Sequence, residues 1–570
     1  MKTSDDAGGL RAGRLAAAWR RLDTAAGWRR ACWLAPLLFG LLSLVYGQDN
    51  NWDLRNYHLY NPFALLNGKI GYDLAPAQWQ SYFNPTLDLL YYELVMYLPA
   101  PLAGFLMGAL QGVNFVLLMA IAGHLLPPAP ARPYGGMVLL ALAGCLGPGF
   151  MSELGNTMGD NVTALAVLAS LLTVLRHWEA LRRGAITAAL GAGLLMGCAA
   201  GLKLTNAVYA VALCLALLTF DTGWRQRCQA AVLFGVGVLG GLALSAGHWF
   251  WRMWQTFGNP LFPQFNDRFL GPLAAPIGVG DASWLPRGAL EKWFWPYIHT
   301  LHPGRVGELP LRHLLWPMLY TAFAALALLQ ALRWLRARAG APAAPMAPLT
   351  PQARLLLVFV PLSYVLWMHL FSIYRYLVPI ELLAPLTLWL LLARLLPPAA
   401  ARNWGAACLV LAACSVFSGG GWSHSRWAAR AFTVETPALT DPAQNLVFTV
   451  HVQPPMGWLV PFFSPRLAFV SLGRSFPESA AYRARVADMV ARRRGPFYVM
   501  LAAETAPRKG WRDAAERDAA AQRMRARLAQ GGATLADYGL ALDAVSCRDY
   551  LAMTGARRLG YQLCVVTPRP

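Results

Sequence analysis

Asp53 stands in the run Gly47-Gln-Asp49-Asn-Asn-Trp-Asp53-Leu-Arg55-Asn56-Tyr-His58, which follows an apolar stretch without a break. A carboxylate there meets both a bilayer interface and water. That suits a general base taking the proton of an acceptor hydroxyl as a glycosidic bond breaks. Asp49, four residues earlier, competes for the role, and either acid can instead cap a helix or face water. Arg55, Asn56 and His58 continue the polar cluster as candidate substrate contacts. A second acidic run, Glu153-Leu-Gly-Asn156-Thr-Met-Gly-Asp160-Asn161, again adjoins apolar sequence. Asp160 suits orientation of an acceptor, or ligation of a divalent cation together with Asp53. It equally suits an N-cap. Glu153 and Asn156 are further substrate contacts by the same reasoning.

Two cations complete the set. Lys203 interrupts apolar sequence in Gly201-Leu-Lys203-Leu-Thr205-Asn206. A cation at membrane depth is costly and therefore a functional candidate, here for a lipid phosphate, with snorkelling to the interface as the alternative. Arg375, in Tyr374-Arg375-Tyr376-Leu-Val-Pro379, offers a planar fork for phosphate between tyrosine walls. Glu381 is the alternative, purely structural, partner of Arg375. His248, Arg252 and Asn266, in a tryptophan-rich region, are weaker candidates.

The elements that must position these residues are read from hydropathy. The chain has 570 residues, 56% hydrophobic and 14% charged, which is a membrane-protein composition. Apolar stretches near the roughly 20 residues that cross about 30 Å of hydrocarbon predict eleven spans, at 31–46, 100–125, 136–150, 162–176, 185–202, 205–220, 230–248, 312–331, 354–371, 376–396 and 405–419. The fold class expected is an all-α polytopic bundle with interfacial helices in its outer loops and a small C-terminal α/β domain. The net charge of +21 is carried by arginines in alternate short loops and in the basic N-terminus 1–30, among them Arg11, Arg14 and Arg132. That is positive-inside patterning rather than a nucleic-acid face, with an uncleaved first span. A cytoplasmic N-terminus then puts loops 47–99 and 249–311 and the tail 421–570 outside, as in a bacterial-type inner membrane.

In the first loop, Asn61-Pro62 and Asn84-Pro85 predict capped interfacial helices over 62–67 and 85–98, and Asn259-Pro260 predicts a third helix start. A proline- and alanine-rich linker covers 340–351, and Gly419-Gly420-Gly421 ends the membrane domain. The tail alternates predicted strands (446–452, 467–472, 497–502, 561–566) with predicted helices (478–494, 514–529). Seven of nine cysteines fall in spans or at their cytoplasmic ends; Cys547 and Cys564 stand in the tail, where a disulfide is permitted.

Taken together, the acidic site after the first span (Asp49, Asp53), the acidic second outer loop (Glu153, Asp160), the Gly-x-Lys-x-Thr turn (Gly201, Lys203, Thr205), the Arg-Tyr-Leu-x-Pro turn and the outer tail resemble the GT-C superfamily of integral membrane glycosyltransferases. The resemblance covers about the first 400 residues. It implies inverting transfer from a polyprenyl-phosphate sugar to a glycan, lipid or protein acceptor, among membrane lipids and without nucleic acid. It also implies a first-loop aspartate as base, with Lys203 and Arg375 on the lipid phosphate. No metal ligands are assigned, and a divalent cation stays open as a cofactor. A lipid-sugar flippase and a non-catalytic envelope assembly protein are the competing classes.

Overall fold

The computed structural model describes residues 20–128, 133–340, 346, 348–418, 421–505 and 512–569. Arg11, Arg14, Arg132, Gly419, Gly420 and half of the 340–351 linker lie outside the described residues. Apolar stretches wind into helices because a helix bonds its backbone N–H and C=O groups within one segment, the condition for crossing hydrocarbon. In chain order these are α1 (Ala25–Tyr46), α2 (Ala100–Leu125), α3 (Tyr134–Cys145), α4 (Asp160–Arg176), α5 (Ile186–Leu202), α6 (Ala207–Leu217), α7 (Trp224–Leu242), α8 (His248–Phe257), α9 (Gly288–Leu301), α10 (Leu315–Arg338), α11 (Pro351–Leu370), α12 (Val378–Leu395) and α13 (Pro398–Cys414).

Among the described residues, six helical stretches are long and apolar enough to cross a membrane: Ala25–Tyr46, Ala100–Leu125, Trp224–Phe257, Leu315–Arg338, Pro351–Leu370 and Tyr374–Leu395. The other predicted spans are also helical but shorter, with 12 residues in α3, 17 in each of α4, α5 and α13, and 11 in α6.

The helix starting at Trp224 outruns its expected end at 248. A π-helical turn, Ala243–Gly247, carries α7 into α8, and Gly258 at φ +70° ends it. His248 to Phe257 is amphipathic, with Trp249, Met253 and Phe257 buried and Trp251 and Trp254 exposed, so it continues the helix instead of opening a loop. Asn259 does not start a helix; its side chain ties Gln264 and Asn266 into a turn. Asn61 is likewise no cap. It lies inside the helix Tyr60–Leu66 and bonds Gln80 O and Phe83 O. Asn84 does cap, accepting from Thr86 N ahead of the helix Leu89–Tyr97.

A glycine seam fixes the turn that bears Lys203. Gly193, Gly197 and Gly201 recur every four residues on α5 and face Gly237 and Gly241 of α7. A Cβ at Gly197 would meet Val238 O at 2.0 Å, and one at Gly241 would meet Leu194 O at 2.1 Å. Backbones this close are the small-residue packing of membrane helices, where water drives no association and van der Waals contact must.

The tail is a seven-stranded mixed sheet: β1 (Phe432–Val434), β2 (Leu446–Thr449), β3 (Ala468–Ser471), β4 (Phe497–Ala503), β5 (Leu540–Leu542), β6 (Arg548–Thr554) and β7 (Arg557–Pro568), ordered β1-β6-β7-β4-β2-β3 with β5 pairing β7. β2 runs parallel to β3 and β4, and the remaining pairs are antiparallel. Helices α14 (Ala480–Ala491) and α15 (Ala514–Ala536) connect the strands, and Cys547 is disulfide-bonded to Cys564.

The loop 47–99 docks on this sheet. Leu74 bridges to Val470 and covers the edge strand β3, which would otherwise present unpaired backbone groups. The buried Lys69 ammonium bonds Pro465 O, Leu467 O and the Asp73 carboxylate at 3.1, 2.6 and 3.0 Å. Leu74, Tyr82, Trp249, Phe257, Phe448 and Val470 share one apolar core, so loop, α8 and tail pack as a unit.

The seam yields the first prediction. Gly197→Leu forces α5 and α7 apart and, as an overpacked contact, costs about 1–3 kcal/mol. The melting temperature in detergent falls by several degrees, whereas Gly191→Leu, which faces open space, leaves it unchanged.

Candidate functional site

Asp49 is a clasp. Only 2% exposed, it accepts from Asn51 N and Nδ2 and from Thr157 N and Oγ1, at 2.8–3.0 Å. With its carboxylate taken up by Asn51 in its own loop and by Thr157 of the 153–160 turn, it faces no open space. Asn51 turns its other atom to Leu54 N at 2.7 Å and starts the helical turn that carries Asp53. From there the chain adopts a π-helix, Leu54–His58.

Asp53 meets Arg375: Oδ2 lies 3.0 Å from Nη1, with both side chains about 15% exposed or less. The same guanidinium nitrogen is 2.7 Å from Met158 Sδ. Lys203 Nζ lies 2.6 Å from Asp160 Oδ2 and donates to Met158 O at 2.7 Å. Met158 thus touches both cations, and Tyr376 lies beside both, with Lys203 and Arg375 at 5.1 and 5.2 Å from its ring. Four segments far apart in sequence converge here. Burial pushes the Asp53 carboxyl upward, but the charge and hydrogen bond of Arg375, with the charge of Lys203, help hold the group below the usual carboxylate range. Glu381 is not the partner of Arg375. Its carboxylate accepts from Gly149 N, Phe150 N and the Tyr374 hydroxyl at 2.9–3.2 Å.

Asp160 is the first residue of α4 and caps nothing with its side chain. Gly159, at φ +87°, makes the turn before it, where a Cβ would meet Leu87 Cδ2 at 2.6 Å. Glu153, fully buried, has no donor on either oxygen. Its neighbour is the Asp160 carboxylate. Burial first, and that charge second, push the Glu153 carboxyl well above its ordinary range, against Lys203 and Arg375. The direction of that shift favours the protonated form of Glu153 beside Asp160.

Other expected contacts divide. His58 lies in the cluster, beside Asp53 and Asp88. Asn56, on the same π-turn, is buried with both amide atoms unpartnered. Arg55 turns instead toward Asp49 and Arg557 of the tail. Asn156 is spent locally, accepting from Met158 N at 3.0 Å and reaching Ser152 O. The Tyr374 hydroxyl, buried between Trp316 and Glu381, braces the turn without facing Arg375's ligand side. Of the weaker candidates, His248 Nε2 bonds Thr86 Oγ1 at 3.3 Å, and Asn266 closes the 259–275 loop.

Sequence reasoning passed over Asp88, 2.7 Å from His58, and Trp422, whose ring lies 5.4 Å from the Arg375 guanidinium. Asp88 falls within the helix predicted over 85–98, and Trp422 at the start of the tail 421–570. The aromatic side chain beyond a glycine run was the available signal for the second.

Among the described residues, no group of three or more His, Cys, Asp or Glu side chains is placed to hold a metal ion. Asp53 and Asp160, expected to share a cation, each take a basic side chain. Comparison with family models, curated proteins and solved structures gives no match for this chain.

The Glu153 pair sets a pH test. A carboxyl whose folded pKa is raised contributes stability below the ordinary carboxylate range and loses it as pH rises toward the folded value. Glu153→Gln, which mimics the protonated acid, therefore melts with the wild type near pH 4 and above it at pH 8, as read from melting temperature against pH.

Proposed function

We propose that the chain is a GT-C-like glycosyltransferase that moves a sugar from a polyprenyl phosphate to an acceptor hydroxyl at the outer face of a bilayer. The observation that supports it is the convergence of Asp53, Arg375, Lys203 and Asp160 around Met158. Two cations and two carboxylates at the ends of apolar helices match an anionic headgroup on one side and a hydroxyl on the other.

On this reading eleven helices cross the membrane, the N-terminus is cytoplasmic, and the site and tail are extracytoplasmic. Alternate arginine-rich loops support that topology. So does the Cys547–Cys564 disulfide, which suits an oxidising compartment.

The ion pairs give the reaction its order. In the free protein Asp53 and Asp160 occupy Arg375 and Lys203, as phosphate oxygens would. An arriving lipid phosphate competes for both cations, which are strong phosphate donors. Asp53 is then released from Arg375 and becomes a better base. It takes the acceptor proton as the acceptor oxygen attacks the anomeric carbon from the face opposite the phosphate. The C–O bond breaks with its electron pair left on the phosphate, and Lys203 and Arg375 stabilise the charge that develops there.

The test is transfer by purified protein in nanodiscs from decaprenyl-phosphate-linked hexoses and pentoses to envelope glycan or lipid extracts. Asp53→Asn lowers transfer about 10²–10⁴-fold and retains decaprenyl phosphate binding. Arg375→Gln and Lys203→Gln weaken that binding. Translocation of the lipid-linked sugar in liposomes without glycosidic-bond formation would replace the transferase by a flippase.

A further inference from the structure

A second acid–base pair lies behind Asp53. His58 Nδ1 is 2.7 Å from Asp88 Oδ1, and the two side chains are 5% and 6% exposed. His58 Nε2 is enclosed and has no hydrogen-bond partner. A carboxylate only accepts, so Asp88 fixes the imidazole proton on Nδ1 and leaves the Nε2 lone pair free. A buried acceptor without a donor is costly unless something fills it in use.

Backbone winding places this pair. Asp53 and His58 are five residues apart, a spacing that diverges on an α-helix. The intervening turn Leu54–His58 is π-helical, and i→i+5 winding brings residues five apart toward one face. The groups facing the imidazole are Asp53 and Tyr57 from its own turn and Asp88 from the 84–88 turn, with Lys203 and Arg375 beyond them. The 84–88 turn is itself anchored, because Asn84 Nδ2 donates to Gly201 O and Ser245 O at 3.0 Å. The glycine seam that sets Lys203 therefore also sets Asp88.

We infer that the Asp88–His58 pair is the resting place of the proton removed from the acceptor: the proton passes from the acceptor hydroxyl through the Asp53 carboxylate to His58 Nε2, and from the imidazolium to solvent once product leaves. The inference rests on the transferase reading and deepens it. A carboxylate surrounded by cations takes up a proton only briefly. An imidazole backed by a buried carboxylate holds one, as it does wherever an Asp–His pair receives the proton of an attacking hydroxyl. Charge balances throughout: one proton leaves the acceptor, one is carried by His58, and the electron pair of the broken C–O bond stays on the phosphate. His58 is a relay, and Asp88 a positioning residue that acts through it.

The experiment compares wild type, His58→Gln and Asp88→Asn in nanodiscs, measuring binding of decaprenyl phosphate and the pH profile of kcat/KM for transfer from a decaprenyl-phosphate-linked sugar. Expected is unchanged decaprenyl phosphate binding in both variants. In His58→Gln kcat falls about 100-fold and the acid limb of the wild-type profile is lost. In Asp88→Asn the limb moves to lower pH. Because His58→Gln can disturb packing, His58→Ala is measured with added imidazole, which restores rate if His58 carries the proton and does nothing if the side chain only fills space. Wild-type rates and an unchanged limb in His58→Gln overturn the relay while leaving the transferase reading intact. Absence of both decaprenyl phosphate binding and transfer in the wild type overturns the transferase reading, and the relay with it.

Discussion

A cation at the end of an apolar helix must find an anion, and Arg375 and Lys203 have none free nearby in sequence. The acid closest to Arg375, Glu381, is occupied by two backbone N–H groups and the Tyr374 hydroxyl. Arg375 therefore reaches across 322 residues to Asp53, and Lys203 across 43 to Asp160. Desolvating either charge alone is expensive, while a matched pair with further hydrogen bonds offsets most of that cost. This requirement draws four chain segments to one point, and the surrounding architecture follows from it.

Each supporting device holds one of those segments. The Asp49 clasp ties the first loop to Thr157, the residue before Met158. The α5–α7 glycine seam fixes the Lys203 turn at the closest approach that two backbones allow. On its far side the first loop is fastened to the tail by Lys69 and Asp73, by Asn50 on Thr554, and by Gln48 paired with Ser425. Trp52 adds a bond to Gln453 at 2.9 Å. Asp53 is thus held from two sides before any ligand arrives, which is the preorganisation that makes a positioned group effective. The tail is part of the frame of the site, and Trp422 brings its chain directly against Arg375.

What was legible in the sequence is what costs free energy locally. Apolar length marked the helices, and a charge interrupting that length marked Lys203, Arg375, Asp160 and Asp53. Partners were not legible, because a cost names a need without naming what meets it. Glu381 is near Arg375 in sequence and bonds elsewhere, and Asp49 and Asp53 are both acids of one polar run with opposite fates. Asn156 and Tyr374 looked like ligand contacts because polar type was visible and saturation was not. The strand β6 was not legible, and β7 was legible only over 561–566, because Arg548, Asp549, Arg557 and Arg558 break the alternation at their starts, and the hairpin is fixed by pairing across the Thr554-Gly555 turn. The run onward from His248 read as a loop because aromatic residues mark an interface in either conformation. Only the buried stripe of Trp249, Met253 and Phe257 distinguishes helix.

Near the two ion pairs, some buried polar groups are saturated and others are not. Asp49, Asn51, Asn156 and Glu381 have their carboxylate or amide groups engaged, and they connect segments. Glu153, Asn56, His58 Nε2 and Arg375 Nε are enclosed without partners, although buried polar atoms are normally bonded. The two sets share chain segments: Asn51 begins the turn that ends at His58, and Asn156 follows Glu153 by three residues. A fold that satisfies the first set so completely, at 2.7–3.0 Å around Asp49 and Asn51, has the means to satisfy the second. The orphaned atoms of these four residues are hydrogen-bonding capacity that the protein's own atoms do not use near the ion pairs, although others, such as Asn445 Oδ1 and His451 Nε2, lie in the tail. On the transferase proposal, a phosphate with several acceptor oxygens and a sugar with several hydroxyls would supply the complementary donors and acceptors that these groups lack.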